Sequence, residues 1–255
     1  MSLSVGDRSF EPQEGWVRVR RRKGRRTGGG AVTAPASSVS SSVLVPSTPS
    51  LTLEQIKQNH DRFSDQWKSS PSCRRLQDLL SSHTTSTRKV TKAICFGLGT
   101  FDPADGSWEQ KRKAHVQLTS FLTIVEHVRS KEKEHQVLCF FQDPIFNSVD
   151  KAFIASLGHQ VVESPKGFQL VDPSTLAFGV HLYRDIYSEV IATHIPAMFI
   201  GTAYEVWEDF HGTENLDWAR MEELDQLCDK VRFPENKADT TFSSTTIHWR
   251  QRDHS

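Results

Sequence analysis

Lys92-Ala93-Ile94-Cys95-Phe96-Gly97-Leu98-Gly99-Thr100-Phe101 is a short apolar run that closes on Gly-x-Gly, and a helical pattern follows it some fifteen residues later. A buried parallel strand that opens into a ligand crevice has this form. Glycine at the end of such a strand lets the backbone turn sharply and lets a ligand approach closely.

Downstream of that stretch the pattern alternates. The first strand is expected at 92–98, and a polar insertion at 102–113 leads to a helix over 114–131 that carries Leu118, Phe121, Leu122, Val125 and Val128 on one side. A second strand follows at 137–142, then a helix at 148–157 capped by Ser148 or Asn147 and ended by Gly158 in the left-handed position. Further strands are expected at 160–163, 175–181 and 197–201, with a helix at 183–193 and helical segments near 203–210 and 216–231. Thr241 to Trp249, rich in β-branched and aromatic residues, predicts an edge strand. Continuous apolar strands separated by helices predict an α/β fold with a Rossmann-like, doubly wound, mostly parallel sheet covered on both faces. The geometric expectation is that residues 97, 143, 181 and 201 meet at one sheet edge.

Upstream, Leu53, Ile56, His60, Phe63 and Trp67 recur at spacings of three and four, and Thr52 with Gln55 forms a capping box, which predicts a helix over 53–68. A second helix is expected at 73–82, with Ser72 as its cap and Leu76, Leu79 and Leu80 buried. Residues 1–50 are of another kind. Arg18 to Arg26 is a basic block, led by Trp16, Val17 and Val19, and Thr27 to Ser50 has no charged residue. Such a composition cannot bury enough surface to offset its ordering entropy, so a disordered basic tail and flexible linker are expected there. The basic block reads as a solvated tail, a nuclear-import signal or a contact for an acidic partner. The domain organisation is then a tail at 1–50, a helical extension at 51–84 and an α/β domain at 85–250.

The net charge of the 255 residues is zero, but eight Lys/Arg against three acids leave +5 on residues 1–26 and −5 on the rest. A mildly acidic body makes a poor nucleic-acid surface, so no direct nucleic-acid binding by the core is expected. Cysteines 73, 95, 139 and 228 form no C-x-x-C pair, and Cys95 and Cys139 lie inside apolar runs, which fits a reducing compartment. No apolar run reaches membrane-spanning length and no signal-peptide stretch is present, so the chain is expected to be soluble and intracellular.

The candidate ligand-binding residues are Gly97, Gly99, Asp143, His181, Tyr183, Gly201 and Thr202, all expected at the carboxyl ends of strands. Gly97 and Gly99 lack the third glycine of the dinucleotide fingerprint, and a tight strand-to-loop turn with no ligand is the other reading. Asp143 either faces the hydroxyls of a ribose or caps the turn before the next helix. It follows Gly99 by forty-four residues, against a usual spacing of about twenty for the ribose-binding acid. Asp150 reads as structural, in the first turn of its helix. His181 reads as a general base, a ligand contact or a satisfied structural histidine, with Tyr183 and Tyr187 on the same wall. The sequence contains no Gly-x-x-x-x-Gly-Lys-Ser/Thr loop, no His-Glu-x-x-His, no cysteine cluster and no Gly-x-Ser-x-Gly elbow.

Together these pieces resemble the plant and fungal family named for "sensitivity to red light reduced", the SRR-like domain, and a fungal member is expected. Ile94-Cys95-Phe96-Gly97-Leu98-Gly99 with Phe101 is similar to the family's opening strand, Gln117-Leu118 to a pair on the following helix, and Gln142-Asp143-Pro144-Ile145-Phe146 with Asp150 and Leu157-Gly158 to its Asp-Pro-x-Phe segment. Thr175-Leu176-Ala177-Phe178 with His181 resembles its fourth strand, Ile200-Gly201-Thr202 its fifth, and Phe242 to Trp249 its closing segment. Trp16 followed by basic residues resembles the family's N-terminus. Many members read Met-Pro-His-Cys where this chain has Gly179-Val180-His181-Leu182, and Thr202 stands where Asn is common. The resemblance implies a regulatory protein, cytoplasmic and nuclear, linked in relatives to circadian and light input, to haem biosynthesis or to cytoskeletal stability. No catalytic residue is established for the family. Two other functions remain open: an S-adenosylmethionine-dependent methyltransferase-like enzyme, with that cofactor or another nucleotide held by Gly97, Gly99 and Asp143, and a protein–protein adaptor with an unidentified partner.

Overall fold

The computed structural model describes residues 51–83, 88–131, 136–209, 216–235 and 239–251. The expected tail, linker and basic block of 1–50 lie outside them.

Two helices precede the sheet. In α1 (Leu53–Lys68) Thr52 Oγ1 accepts from the Gln55 amide at 3.2 Å and Gln55 Oε1 accepts from the Thr52 amide at 2.9 Å, the reciprocal cap that the sequence predicts. Helix α2 is Pro71–Ser82 and not 73–82. Pro71 supplies the φ of a first helical residue and needs no hydrogen-bond partner there, so the cap moves back to Ser70, whose hydroxyl accepts from the Cys73 amide at 3.1 Å. Ser72 is buried inside the helix.

The rest of the chain runs β1 (Lys92–Phe96), α3 (Trp108–Lys131), β2 (Leu138–Gln142), α4 (Ser148–Ser156), β3 (Gln160–Val161), α5 (Lys166–Gln169), β4 (Thr175–Phe178), α6 (Arg184–Ile191), β5 (Met198–Thr202), α7 (Tyr204–Glu208), α8 (Trp218–Leu227), β6 (Cys228–Arg232) and β7 (Thr245–Arg250). The strands form one seven-stranded sheet in the order β3-β2-β1-β4-β5-β7-β6. All pairings from β3 to β5 are parallel, while β7 is antiparallel to both β5 and β6.

The central strands β1, β2, β4 and β5 are largely apolar because both faces of the sheet are covered there. Ala93 and Cys95 of β1, with Leu176 and Phe178 of β4, join one core with Ile56, Leu76, Leu118, Phe121 and Phe153 from α1 to α4. Ile94 and Phe96 of β1, with Ala177 of β4 and Phe199 of β5, join a second core with Tyr187, Val190, Ile191, Met221 and Leu224 from α6 and α8. Helices α1 and α2 thus belong to the packing of one sheet face. Among the described residues no helix is long and apolar enough to cross a membrane.

Four expectations need correction. Residues 228–231, read as helix, are strand β6, which pairs with β7 from Cys228↔Arg250 to Arg232↔Thr246. Consequently β7 is not an edge strand: β5 and β6 flank it. The polar stretch 102–113 is in part the start of α3, whose first turns are exposed and carry the Glu109–Lys113 ion pair at 2.8 Å. Finally β4 stops at Phe178, so His181 sits in the following loop with φ +56°, a left-handed conformation that is strained for any residue with a Cβ.

Candidate functional site

The loop after β1 leaves the sheet through two left-handed glycines, Gly97 at φ +61° and Gly99 at φ +87°. The Gly97 amide extends the ladder to the Gln142 carbonyl at 3.2 Å. Two aspartates then fasten the loop to the β2–α4 segment. Asp143 Oδ2 accepts from the Gly99 amide at 2.7 Å and Oδ1 from the Ile145 amide at 3.0 Å. Asp150, fully buried, accepts from the Thr100 hydroxyl at 2.7 Å and from the amides of Phe101 and Asn147 at 3.0 Å. Burial pushes the Asp143 carboxyl up from its ordinary value, and the amides of Ile145 and Gly99 oppose that. Asp143 therefore stands at the end of β2, where the sequence placed it, with both carboxylate oxygens occupied by the chain's own amides.

Leu182 is the side chain that shapes the centre of the edge. A Cβ on Gly97 would lie 2.6 Å from Leu182 Cδ2, and one on Gly179 2.3 Å from Leu182 Cδ1. The isobutyl group is thus wedged between the ends of β1 and β4, and the glycines are what admit it. Gly201 serves packing in the same way, since the space of its missing Cβ is taken by the Phe199 ring at 2.4 Å.

Beyond Leu182 the edge opens into a cleft of about 400 Å³, lined by His181, Leu182, Tyr183, Arg184, Thr202, Val206, Trp207, Ser243 and Ser244. The loop after β4, the end of β5 and the turn into β7 build it together. His181 Nε2 lies 2.9 Å from the Ser243 carbonyl and ties two of these segments. Ser244, like His181, has φ +56°. Tyr183 stands 80% exposed at the mouth. Tyr187 is not on this wall: it is buried, its hydroxyl donates to the Thr202 carbonyl at 2.9 Å, and its ring meets Phe199 and Trp207 edge-on. A smaller recess of about 250 Å³ shares Val206 and Ser244 and adds Ala203, Glu205, Lys230, Arg232 and Thr246. A separate cavity of about 460 Å³ lies away from the strand ends, between α1, α2 and α3, where Arg112 is held by Asp239.

The candidate residues therefore divide into two groups. His181, Tyr183 and Thr202 line the cleft, whereas Gly97, Gly99, Asp143 and Gly201 do not. Arg184, Trp207, Ser243 and Ser244 complete it, and sequence reasoning missed them. No periodic or motif signal marks them, because the turn into β7 reaches the cleft only through the pairing of β7 with β5. The four cysteines are all free and buried, and burial pushes the Cys139 thiol up to about 11 and the Cys228 thiol up to about 12, which leaves them inert as nucleophiles near neutral pH. Among the described residues no group of three or more His, Cys, Asp or Glu is placed to hold a metal ion.

A family model described as the SRR1 domain matches residues 76–249, from within α2 to the penultimate residue of β7. No curated protein matches the chain.

Proposed function

Because the chain belongs to the SRR1 domain family, we propose that it is a regulatory member that works by binding at the cleft beside β4, β5 and β7, and that the crevice between β1 and β4 does not hold a turning-over cofactor. We take the sheet as a Rossmann-like, doubly wound frame. In favour of this, β1 to β5 run parallel in the order 3-2-1-4-5, and α3 and α4 pack in one core while α6 packs in the other. In such a frame a dinucleotide lies over the point where strand order reverses, here between β1 and β4.

The observation that carries the proposal is Leu182, which fills that point between Gly97 and Gly179. The resemblance implies a smaller cysteine at this position in many members, against which Leu182 narrows the crevice. Asp143, the residue best placed to meet a ribose, is buried and accepts from the Gly99 and Ile145 amides, one on each oxygen. The regulation is of the kind the resemblance implies, circadian or light input or haem synthesis, exercised in cytoplasm and nucleus.

A thermal-shift series tests the proposal with S-adenosylmethionine, nicotinamide dinucleotides and haem. A ligand at a hundred times its Kd adds about 2.7 kcal/mol, which is several degrees for a domain of this size. The wild-type chain is expected to show no saturable shift that depends on Asp143 with any of the three. A saturable shift with S-adenosylmethionine that Asp143→Ala abolishes would overturn the proposal in favour of a methyltransferase-like enzyme.

A further inference from the structure

We propose that the cleft at the ends of β4, β5 and β7 binds a phosphorylated nucleoside, with Arg184 holding the phosphate and Tyr183 stacking on the base. This inference rests on the reading of the cleft as the working surface and gives that surface a ligand.

None of the nine residues around the cleft is acidic. Arg184 is half-buried on its wall, and its side chain makes no hydrogen bond or ion pair among the described residues. A guanidinium in a partly desolvated wall without a counter-charge favours an anion, and its planar fork matches a phosphate. The hydroxyls of Thr202 and Ser244 add donors to the same lining, whereas that of Ser243 already donates to the Thr240 carbonyl at 3.1 Å. Leu182, Val206 and Trp207 supply the apolar part of the lining. The cleft volume lies in the range of ordinary small-molecule sites.

Tyr183 gives the other half of the ligand. A tyrosine that is 80% exposed beside a cationic cleft offers a free ring face to a flat heteroaromatic group. The adjoining recess extends the groove and carries a further cation. Arg232 makes no hydrogen bond or ion pair there through its side chain, and the recess's single acid, Glu205, is bonded to Lys230 at 3.2 Å. A mononucleotide matches this sequence of features, with base at Tyr183, phosphate at Arg184 and any further charge towards Arg232.

Isothermal titration of the full chain with AMP, adenosine and inorganic phosphate tests the proposal. AMP is expected to bind at least tenfold more tightly than adenosine or phosphate alone, and more weakly as salt rises. Arg184→Glu is expected to weaken AMP at least tenfold, Arg184→Lys to restore part of that loss, and Tyr183→Ala to weaken it severalfold. Arg75→Glu, the same charge change at an exposed site on α2, is expected to leave the affinity unchanged. Circular dichroism of each variant confirms that it is folded. Equal affinity for AMP and adenosine, absence of AMP binding, or indifference to Arg184→Glu would each overturn the proposal while leaving the regulatory reading in place. Loss of AMP binding in Asp143→Ala with Arg184→Glu unaffected would put the ligand in the β1–β4 crevice and overturn both.

Discussion

The imidazole Nε2 of His181 meets the main-chain carbonyl of Ser243 at 2.9 Å across 62 residues of sequence, and this bond closes the cleft between the loop after β4 and the turn into β7. His181 keeps it at the cost of a left-handed backbone. His181→Ala should lose the bond and retain the strain, for a loss of about 1 kcal/mol. His181→Gly should lose the same bond but relieve the backbone, and so be more stable than the alanine variant by about 1 kcal/mol. Urea denaturation of the two variants checks the order, and an alanine variant as stable as the glycine variant would show that the φ at 181 carries no strain.

Gly97 and Leu182 should behave as a coupled pair. Alanine at 97 brings a left-handed backbone penalty of about 1–2 kcal/mol and a Cβ that would lie 2.6 Å from Leu182 Cδ2. In a Leu182→Ala background only the backbone penalty remains, so a double-mutant cycle should give a coupling of about 1 kcal/mol. Strict additivity would place Leu182 elsewhere.

Asp150 should matter for folding more than for any ligand. Its buried carboxylate receives the Thr100 hydroxyl and the amides of Phe101 and Asn147. Asp150→Ala strands three donors, two of them main-chain, and should cost about 3 kcal/mol. Thermal unfolding measures it, and a change below about 1 kcal/mol would contradict the clamp.

Acid should destabilise the fold through its buried histidines. Burial lowers His115 from 6.5 to about 3, with His60, Lys111 and Arg62 adding to it, and burial lowers His248 to about 4 against the Phe199 carbonyl. Both are neutral when folded, while the unfolded chain takes up protons below 6.5, so stability is complete above that pH and falls as pH drops towards 4. Each group contributes up to about 1.4 kcal/mol per pH unit. His115→Phe, placed among Phe63, Phe101 and Phe153, should flatten the slope of urea midpoints between pH 6.5 and 4.5. An unchanged slope would mean that His115 is not the titrating group.

How far the sequence foretold this molecule depends on which forces leave a local trace. Strands β1, β2, β4 and β5 were legible because cover on both faces favours apolar runs, as in Ala93-Ile94-Cys95-Phe96. Helix α1 was legible from the spacing of Ile56, His60, Phe63 and Trp67, which form its buried face together with Ser64. Strand β6 was not, because Asp229, Lys230 and Arg232 interrupt its apolar residues and it follows α8 without a breaker. Its absence from the reading left β7 at the edge and hid the turn at Ser243 and Ser244 that completes the cleft. Gly97, Gly99 and Asp143 were found at the right end of the sheet, but their partners were not legible. Whether Asp143 meets a ribose or the Gly99 amide depends on a loop path that residue spacing does not encode.

The most direct test of the account is a map of amide chemical shifts on the full chain titrated with AMP. Saturable changes concentrated at residues 181–184, 202–207 and 243–246, with Gly97, Gly99 and Asp143 unmoved, are the predicted result. Changes centred on Gly97, Gly99 and Asp143 with the Arg184 and Ser244 signals unaffected would contradict it.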